Sequence, residues 1–356
     1  MNNKEFLYKY LNAYAPVGQE TKGQKIWVDY VTEYSDGVTL DPYGTAVALL
    51  KGDSEINYVK PKVIIEAHCD EIAWIVTQIE DSGLLRVTRH GGSDNMIAPA
   101  KTVVIHTHDG EEIRGLFGWP AIHTRSKNVE SGYEQHELWI DTGLADKKAV
   151  ESAGIEVGNI ATFDTQLEEI GDYYVGRSLD NKIGGYIIAE VLRKLKKEKV
   201  KLPYDLYVVN AVQEEVGLFG ATMIAKRLQG DLAIVHDVCH ETNTPKYNKA
   251  KEGDIKGGKG PCLQYTAQNH RDLVKLIRKV GKENKIDLQL SVGSYGNDTM
   301  AFFKENTPTA IISTPLKYMH TPVEMAHKKD VKACIKLYIK LLKELTVDDI
   351  NKIHKK

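Results

Sequence analysis

The chain has 356 residues, 42% of them hydrophobic, enough to bury a substantial core divided between two domains. Its formal net charge of −2, from 47 basic and 49 acidic residues, excludes the basic footprint of a nucleic-acid binder and a strongly charged substrate field. The start, MNNKEFLYKYLNAYAPVGQE, lacks the apolar core of a signal peptide, no run is long enough to span a membrane, and the four scattered cysteines (Cys69, Cys239, Cys262, Cys334) form no CxxC, so a cytoplasmic chain with reduced, mostly buried thiols and no membrane partner is expected.

Residues 3–34 hold two helix-period segments around the break Ala15-Pro16-Val17-Gly18. Segments 38–40 and 45–50 read as strands either side of the turn Asp41-Pro42-Tyr43-Gly44. KVIIEAH (62–68) is a buried strand that runs into Cys69, Asp70 and Glu71. On a strand His68 and Asp70 share a face while Cys69 turns away. A histidine held beside a carboxylate is the arrangement that fixes a tautomer for metal binding.

From 72 to 163 the texture changes. Short β-type segments (73–79, 84–87, 102–107, 113–117, 137–141) recur between Gly, Asp and Asn turns, and helical periodicity returns only at 146–153. That pattern predicts a small all-β domain inserted into an α/β chain, with 1–71 and 164–356 forming the discontinuous remainder. His90, His106, His108, His123 and His136 lie in the insert at no spacing that suggests a site, and most read as surface residues.

DYYVGRSLDNKIGG (172–185) takes a strand into Ser178-Leu179-Asp180-Asn181, and a long amphipathic helix follows at 183–197. Ser178 or Asp180 could serve simply as the helix N-cap. LYVVNAVQEEVGLFGA (206–221) opens as a buried strand and delivers two adjacent acids, Glu214 and Glu215. On a continuing strand these would face opposite ways; one site can use both only if the backbone leaves extended geometry, as Gly217 and Gly220 suggest. A solvated turn is the alternative. A short helix at 221–228 leads to DLAIVH (231–236), another strand ending in ionisable residues: Asp237, His240 and Glu241.

KEGDIKGGKGP (251–261) lacks the Ser or Thr and the strand–loop–helix order of a phosphate loop. A helix at 271–284 and a strand at 287–292 precede Gly296-Asn297-Asp298. A last strand at 309–313 passes into PLKYMHTP (315–322), and 330–345 forms a final amphipathic helix.

Five times, then, a buried strand ends in ligand chemistry: His68 with Asp70, Asp180, Glu214 with Glu215, Asp237, and His320. Two histidines with several carboxylates and no thiolate suit Zn²⁺, Co²⁺ or Mn²⁺. One carboxylate too many for a tetrahedral site points to two metals sharing a bridging acid and a water nucleophile.

The stretches AHCDEI (67–72), GRSLDNKIGG (176–185), QEEVGLFGA (213–221), DVCHETNTP (237–245), GKGP (258–261), GND (296–298) and PLKYMHTPVEM (315–325) together resemble, in family order, the M42 co-catalytic metallo-aminopeptidases. The resemblance implies a mixed-sheet α/β/α catalytic domain of the co-catalytic metallopeptidase type with an inserted β-barrel-like dimerisation domain. It also implies an aminopeptidase that removes the N-terminal residue of short peptides with two divalent metal ions, Zn²⁺ foremost. His68 and Asp237 would bind one metal, Glu215 and His320 the other, and Asp180 would bridge them. Glu214 would be the general base and Asp70 the orienter of His68. Dimers would build a tetrahedral dodecamer with its active sites facing inward. Departures from the family pattern are Cys69 for Met, Ala73 for Gly, Lys182 and Lys317 for Arg, and Asn297 for Thr. The last leaves open whether the substrate pocket, and with it specificity, is altered.

Two other classes compete. A glycoside hydrolase needs two carboxyls roughly 5–9.5 Å apart across a sugar and leaves the histidines without a role. A non-catalytic assembly protein would have no use for Glu214.

Overall fold

The computed structural model describes residues 1–56, 58–124, 134–293 and 296–354. Helix α1 (Asn3–Asn12) begins where the Asn2 side chain accepts from the N–H groups of Lys4 and Glu5, and it buries Phe6, Leu7, Tyr10 and Leu11 as one stripe. Helix α2 (Thr21–Thr32) adds Trp27, Tyr30 and Val31. A hairpin of β1 (Gly37–Leu40) and β2 (Ala46–Leu50) follows, turned where Asp41 accepts from Tyr43 and Thr45. Strand β3 (Lys62–His68) completes the first part of the chain.

The next strands are β4 (Ala73–Ile79), β5 (Leu85–His90), β6 (Thr102–His106), β7 (Glu112–Phe117), β8 (Trp139–Asp141) and, after helix α3 (Lys147–Ser152), β9 (Ile160–Phe163). They close a barrel in the order β4-β5-β8-β7-β6-β9 around Trp74, whose ring meets Phe117 and Phe163 edge-on at 4.9 and 4.7 Å. Phe117 is thus core, while its neighbour Leu116 faces outward, as strand alternation requires. The surface reading fails for His106. It is buried, Nε2 lies 2.9 Å from Thr162 Oγ1, and burial lowers its pKa to about 4. It shares the outer face of β6 with Val104, opposite the core residues Val103 and Ile105, and is covered there by Tyr14, whose ring centroid lies 4.9 Å away.

The remainder runs β10 (Glu168–Ile170), β11 (Tyr173–Gly176), α4 (Leu179–Lys197), β12 (Asp205–Ala211), α5 (Phe219–Leu228), β13 (Leu232–His240), α6 (Lys249–Glu252), β14 (Cys262–Tyr265), α7 (Arg271–Glu283), β15 (Gln289–Val292), α8 (Thr299–Lys304), β16 (Thr309–Lys317), β17 (Glu324–His327), α9 (Lys328–Glu344) and α10 (Val347–His354). With the first three strands it makes an eleven-stranded mixed sheet in the order β1-β2-β12-β3-β13-β16-β17-β11-β10, with β14 and β15 branching from β16. The centre, β12-β3-β13-β16, is parallel, and the strands flanking it pair antiparallel. The chain therefore has the mixed α/β fold expected.

Strand alternation sorts the sheet into two faces. Val63, Ile65 and Ala67 of β3, with Leu232, Ile234 and Val238 of β13, join the large core that α1, α2, α4 and α9 cover. Ile64, Ala233 and Val235 join the smaller core under α5 and α8. By the same alternation His68 and Asp237 belong to the second face. Val235 pairs with Glu66 in the parallel register, so two residues further along they emerge side by side at the C-terminal strand ends.

Two strands run further than sequence periodicity marks. β13 and β16 remain paired from Ala233↔Thr309 to His240↔Leu316, because a neighbouring strand carries polar residues along that local composition would release. Among the described residues no helix is long and apolar enough to cross a membrane. The four cysteines are free and buried.

Candidate active site

The strand ends meet at one cavity of about 550 Å³, with His68, Asp180, Glu214, Glu215, Asp237 and His320 in its wall. Each arrives by a different local device. His68 and Asp237 come directly off β3 and β13. Asp180 sits where α4 departs from helical geometry at Asp180 and Asn181, and the peptide between these two is cis. Ser178 and Asp180 are not capping side chains here: Ser178 takes a left-handed φ of 53° with no side-chain cap bond, and the Asp180 carboxylate turns toward the histidines.

After β12 the backbone leaves extended geometry at Gln213, φ 57°, as the use of both glutamates requires. Asp70 then accepts the N–H of Glu214 through one carboxylate oxygen and that of Glu215 through the other, both at 3.0 Å. Gly220 packs against the Val212 backbone so closely that a Cβ has no room. His320 lies beyond β16 in a turn where Tyr318 and His320 itself have φ of 56° and 62°. Left-handed backbone is uncommon at non-glycine residues, and Ser178, Gln213, Leu218, Tyr318 and His320 adopt it in the turns that build this site.

Asp180 joins the two histidines. Its Oδ1 is 3.3 Å from His68 Nε2 and its Oδ2 is 3.3 Å from His320 Nε2. His68 Nε2 also lies 3.8 Å from Asp237 and 3.9 Å from Glu214, while His320 Nε2 lies 3.2 Å from Glu215. Two groups of donor atoms result, His68/Asp180/Asp237 and Asp180/Glu215/His320, each within 4.8 Å. Asp180 is in both. Imidazole nitrogens and carboxylate oxygens at this spacing fit divalent cations of the Zn²⁺, Co²⁺ and Mn²⁺ kind.

The electrostatics favour the same fit. Burial, reinforced by neighbouring carboxylates, raises the pKa of Glu214, Glu215 and Asp237 above the usual carboxylate range. Burial opposes protonation of both histidines, yet the carboxylates around them prevail and raise His68 well above its ordinary value and His320 to about 12. The cluster gathers more carboxylates than imidazoles in a buried place, an excess of negative charge that calls for compensation. Cations could take that role.

Several residues in and around the site escape a reading of motifs. Glu324, buried in β17, accepts the N–H of Asp180 at 3.1 Å and of His320 at 2.7 Å. Gly92 of the barrel segment presents its carbonyl to His320 Nδ1 at 3.1 Å. Glu66 and Asp298 are buried acids behind the cluster, and burial raises both pKa values. An acid at the middle inward position of 64, 66 and 68 was a legible signal for Glu66. Glu71 is clamped by Arg177 and Lys182, which overcome burial and hold its carboxyl down at about 2. Asn297 is buried beside the wall: its side-chain oxygen accepts from Thr299 N at the start of α8, and its neighbour Gly296 lines the cavity.

The M42 glutamyl aminopeptidase family model matches residues 44–337. A lysyl aminopeptidase of Pyrococcus furiosus is 29% identical over 355 residues, 96% of this chain and 97% of its own length. The TET aminopeptidase of a marine-sediment archaeon, Thaumarchaeota archaeon SCGC AB-539-E09, superposes with a TM-score of 0.92 at 27% identity, covering 99% of this chain and 98% of that one. The TET1 peptidase of Pyrococcus horikoshii, described as assembling into a tetrahedron or a large octahedral shell, superposes with a TM-score of 0.85 at 26% identity over 97% of this chain and all of that one. The fold, the convergence of strand ends and these matches agree: the chain belongs to the M42 aminopeptidase family and is a peptide hydrolase of the aminopeptidase class.

Proposed function

We propose that the chain removes the N-terminal residue from short peptides with two divalent metal ions, held as His68/Asp180/Asp237 and Asp180/Glu215/His320. The observation that carries this reading is the sharing of Asp180, one oxygen toward each histidine at 3.3 Å. Such a cation pair, when bound, supplies carbonyl polarisation and a water of lowered pKa. Zn²⁺ is the first choice, with Co²⁺ or Mn²⁺ as alternatives.

The chain's own residues do the rest. Glu214 lines the cavity without belonging to either donor group, which suits it to take a proton from the attacking water and pass it to the leaving amine. Asp70 faces His68 Nδ1 at 3.4 Å and fixes the backbone of both glutamates, so one carboxylate orients a ligand and the base together. The acids converge on histidines rather than on opposite sides of an open cleft, which favours peptide over glycoside hydrolysis. Glu214→Gln should lower turnover on the order of 10²–10⁴-fold with the metal content unchanged. A variant emptied of a metal would make Glu214 a ligand, and one with wild-type turnover would end its role as base.

The barrel is the dimerisation element in this reading, and dimers assemble into a tetrahedral dodecamer enclosing the active sites. Met96, Leu116 and Ile122 expose apolar surface on the barrel segment, which supports such a contact. Light scattering tests it, and a monomer at micromolar concentration would refute the compartment. The four free cysteines suit the reducing cytoplasm.

A further inference from the structure

We propose that the cavity selects an uncharged, apolar N-terminal residue of about leucine or methionine size, and that Met319 and Leu218 set that choice; this rests on the aminopeptidase chemistry above. Apart from the histidines and acids already assigned, the cavity is lined by Leu218, Val238, His240, Gly296 and Met319. The peptide's amine and scissile carbonyl are drawn to the charged side of the cavity. The first side chain is left with this second wall.

No charge is available there among the described residues. Selecting lysine calls for a carboxylate beyond the donor groups and beyond Glu214, which the reaction occupies as base, and selecting glutamate calls for a cation. Lys317, two positions from Met319 in the chain, is spent elsewhere: its Nζ lies 3.5 Å from Glu241 and 4.6 Å from the Tyr173 ring centroid. His240 is half-buried against Tyr247, with ring centroids 5.7 Å apart, and burial lowers its pKa toward the neutral form. A charged side chain entering this wall would lose water and gain no partner. The lysyl and glutamyl preferences named for relatives therefore have no counterpart here.

The backbone carrying the wall takes uncommon conformations. Leu218 opens α5 with a φ of 59°, and Met319 is held between the two left-handed residues Tyr318 and His320. Methionine at the centre adapts its unbranched side chain to several apolar shapes, so a preference across Leu and Met is expected rather than for one residue.

The test uses the full chain loaded with Zn²⁺ and, separately, Co²⁺, on the p-nitroanilides of Leu, Met, Lys and Glu. The kcat/KM for Leu and Met should exceed that for Lys and Glu by at least about 10-fold. Met319→Glu should shift the Lys-to-Leu ratio upward by about 10-fold or more, and Met319→Lys should do so for Glu. Leu218→Glu gives a second route to the Lys shift if circular dichroism shows the Met319 variants misfolded. Wild-type enzyme that cleaves Lys or Glu substrates as well as Leu overturns the proposal and leaves the aminopeptidase chemistry standing. So does an unmoved ratio in folded Met319→Glu and Leu218→Glu. Turnover of none of the four would instead remove the underlying chemistry, and this selection with it.

Discussion

His320 Nδ1 lies 3.1 Å from the carbonyl oxygen of Gly92, a residue between the second and third strands of the barrel. A carbonyl can only accept, so Nδ1 carries the hydrogen and Nε2, between Asp180 and Glu215, is the nitrogen left for a cation. A segment outside the proposed ligand set thus fixes the tautomer of one of its histidines. Gly92 is glycine for a local reason: a Cβ there would occupy the His320 ring. Gly92→Ala should weaken metal binding about 10–100-fold, read by metal titration, with the far-ultraviolet spectrum unchanged. Unaltered affinity would show that the contact orients nothing. Excising 73–162 should therefore cost metal affinity as well as any assembly.

Asp180 makes a different prediction because it faces both histidines. Asp180→Ala should lower occupancy of both cations together, measured as metal per chain after dialysis against graded chelator. Loss of one cation with the other held at wild-type affinity would contradict a bridge.

The convergence of the candidate residues was legible because each stands at the end of an apolar run, and alternation along 64, 66 and 68 and along 233, 235 and 237 places His68 and Asp237 on one face. The turn after β12 was also legible, from the need for both glutamates and the two glycines behind them. Glu324 was hidden, since it binds backbone N–H groups 144 and 4 residues away, and nothing in PVEM distinguishes a buried acceptor from a solvated acid. Gly92 was hidden for the same reason at a separation of 228 residues. His106 read as surface because an isolated histidine carries no sign of the Thr162 hydroxyl opposite it. Long-range partners, rather than local pattern, decide such residues.

Glu324 gives the third prediction. Its two oxygens hold the backbones of Asp180 and His320, so it sets their separation without touching a cation. Glu324→Gln keeps one acceptor and turns an amide against the other N–H. The Asp180/Glu215/His320 group should lose its cation first, leaving about one metal per chain at a chelator level where the wild type keeps two. If both leave in parallel with global unfolding, Glu324 is structural only.

The last prediction concerns acid and the barrel. His106 is neutral and buried in the fold, with a pKa lowered from 6.5 to about 4 by burial. The unfolded chain takes up the proton as pH falls below about 6.5, while the folded chain refuses it until about 4, so across that window the unfolded state binds more protons. Stability should therefore fall on acidification from about pH 6.5 and level off, for this residue, below about 4. The loss is of order 3 kcal/mol at the lower end. His236, which burial lowers to about 3, acts in the same direction from the catalytic sheet, and buried acids such as Glu66 and Glu71 add their own contributions to the wild-type slope. Substitution isolates the share of His106. His106→Gln keeps a polar group able to reach the Thr162 hydroxyl but cannot titrate, so its thermal midpoint should fall less than that of the wild type between pH 6.5 and 4. Parallel wild-type and variant curves would mean that His106 does not stay neutral in the folded barrel.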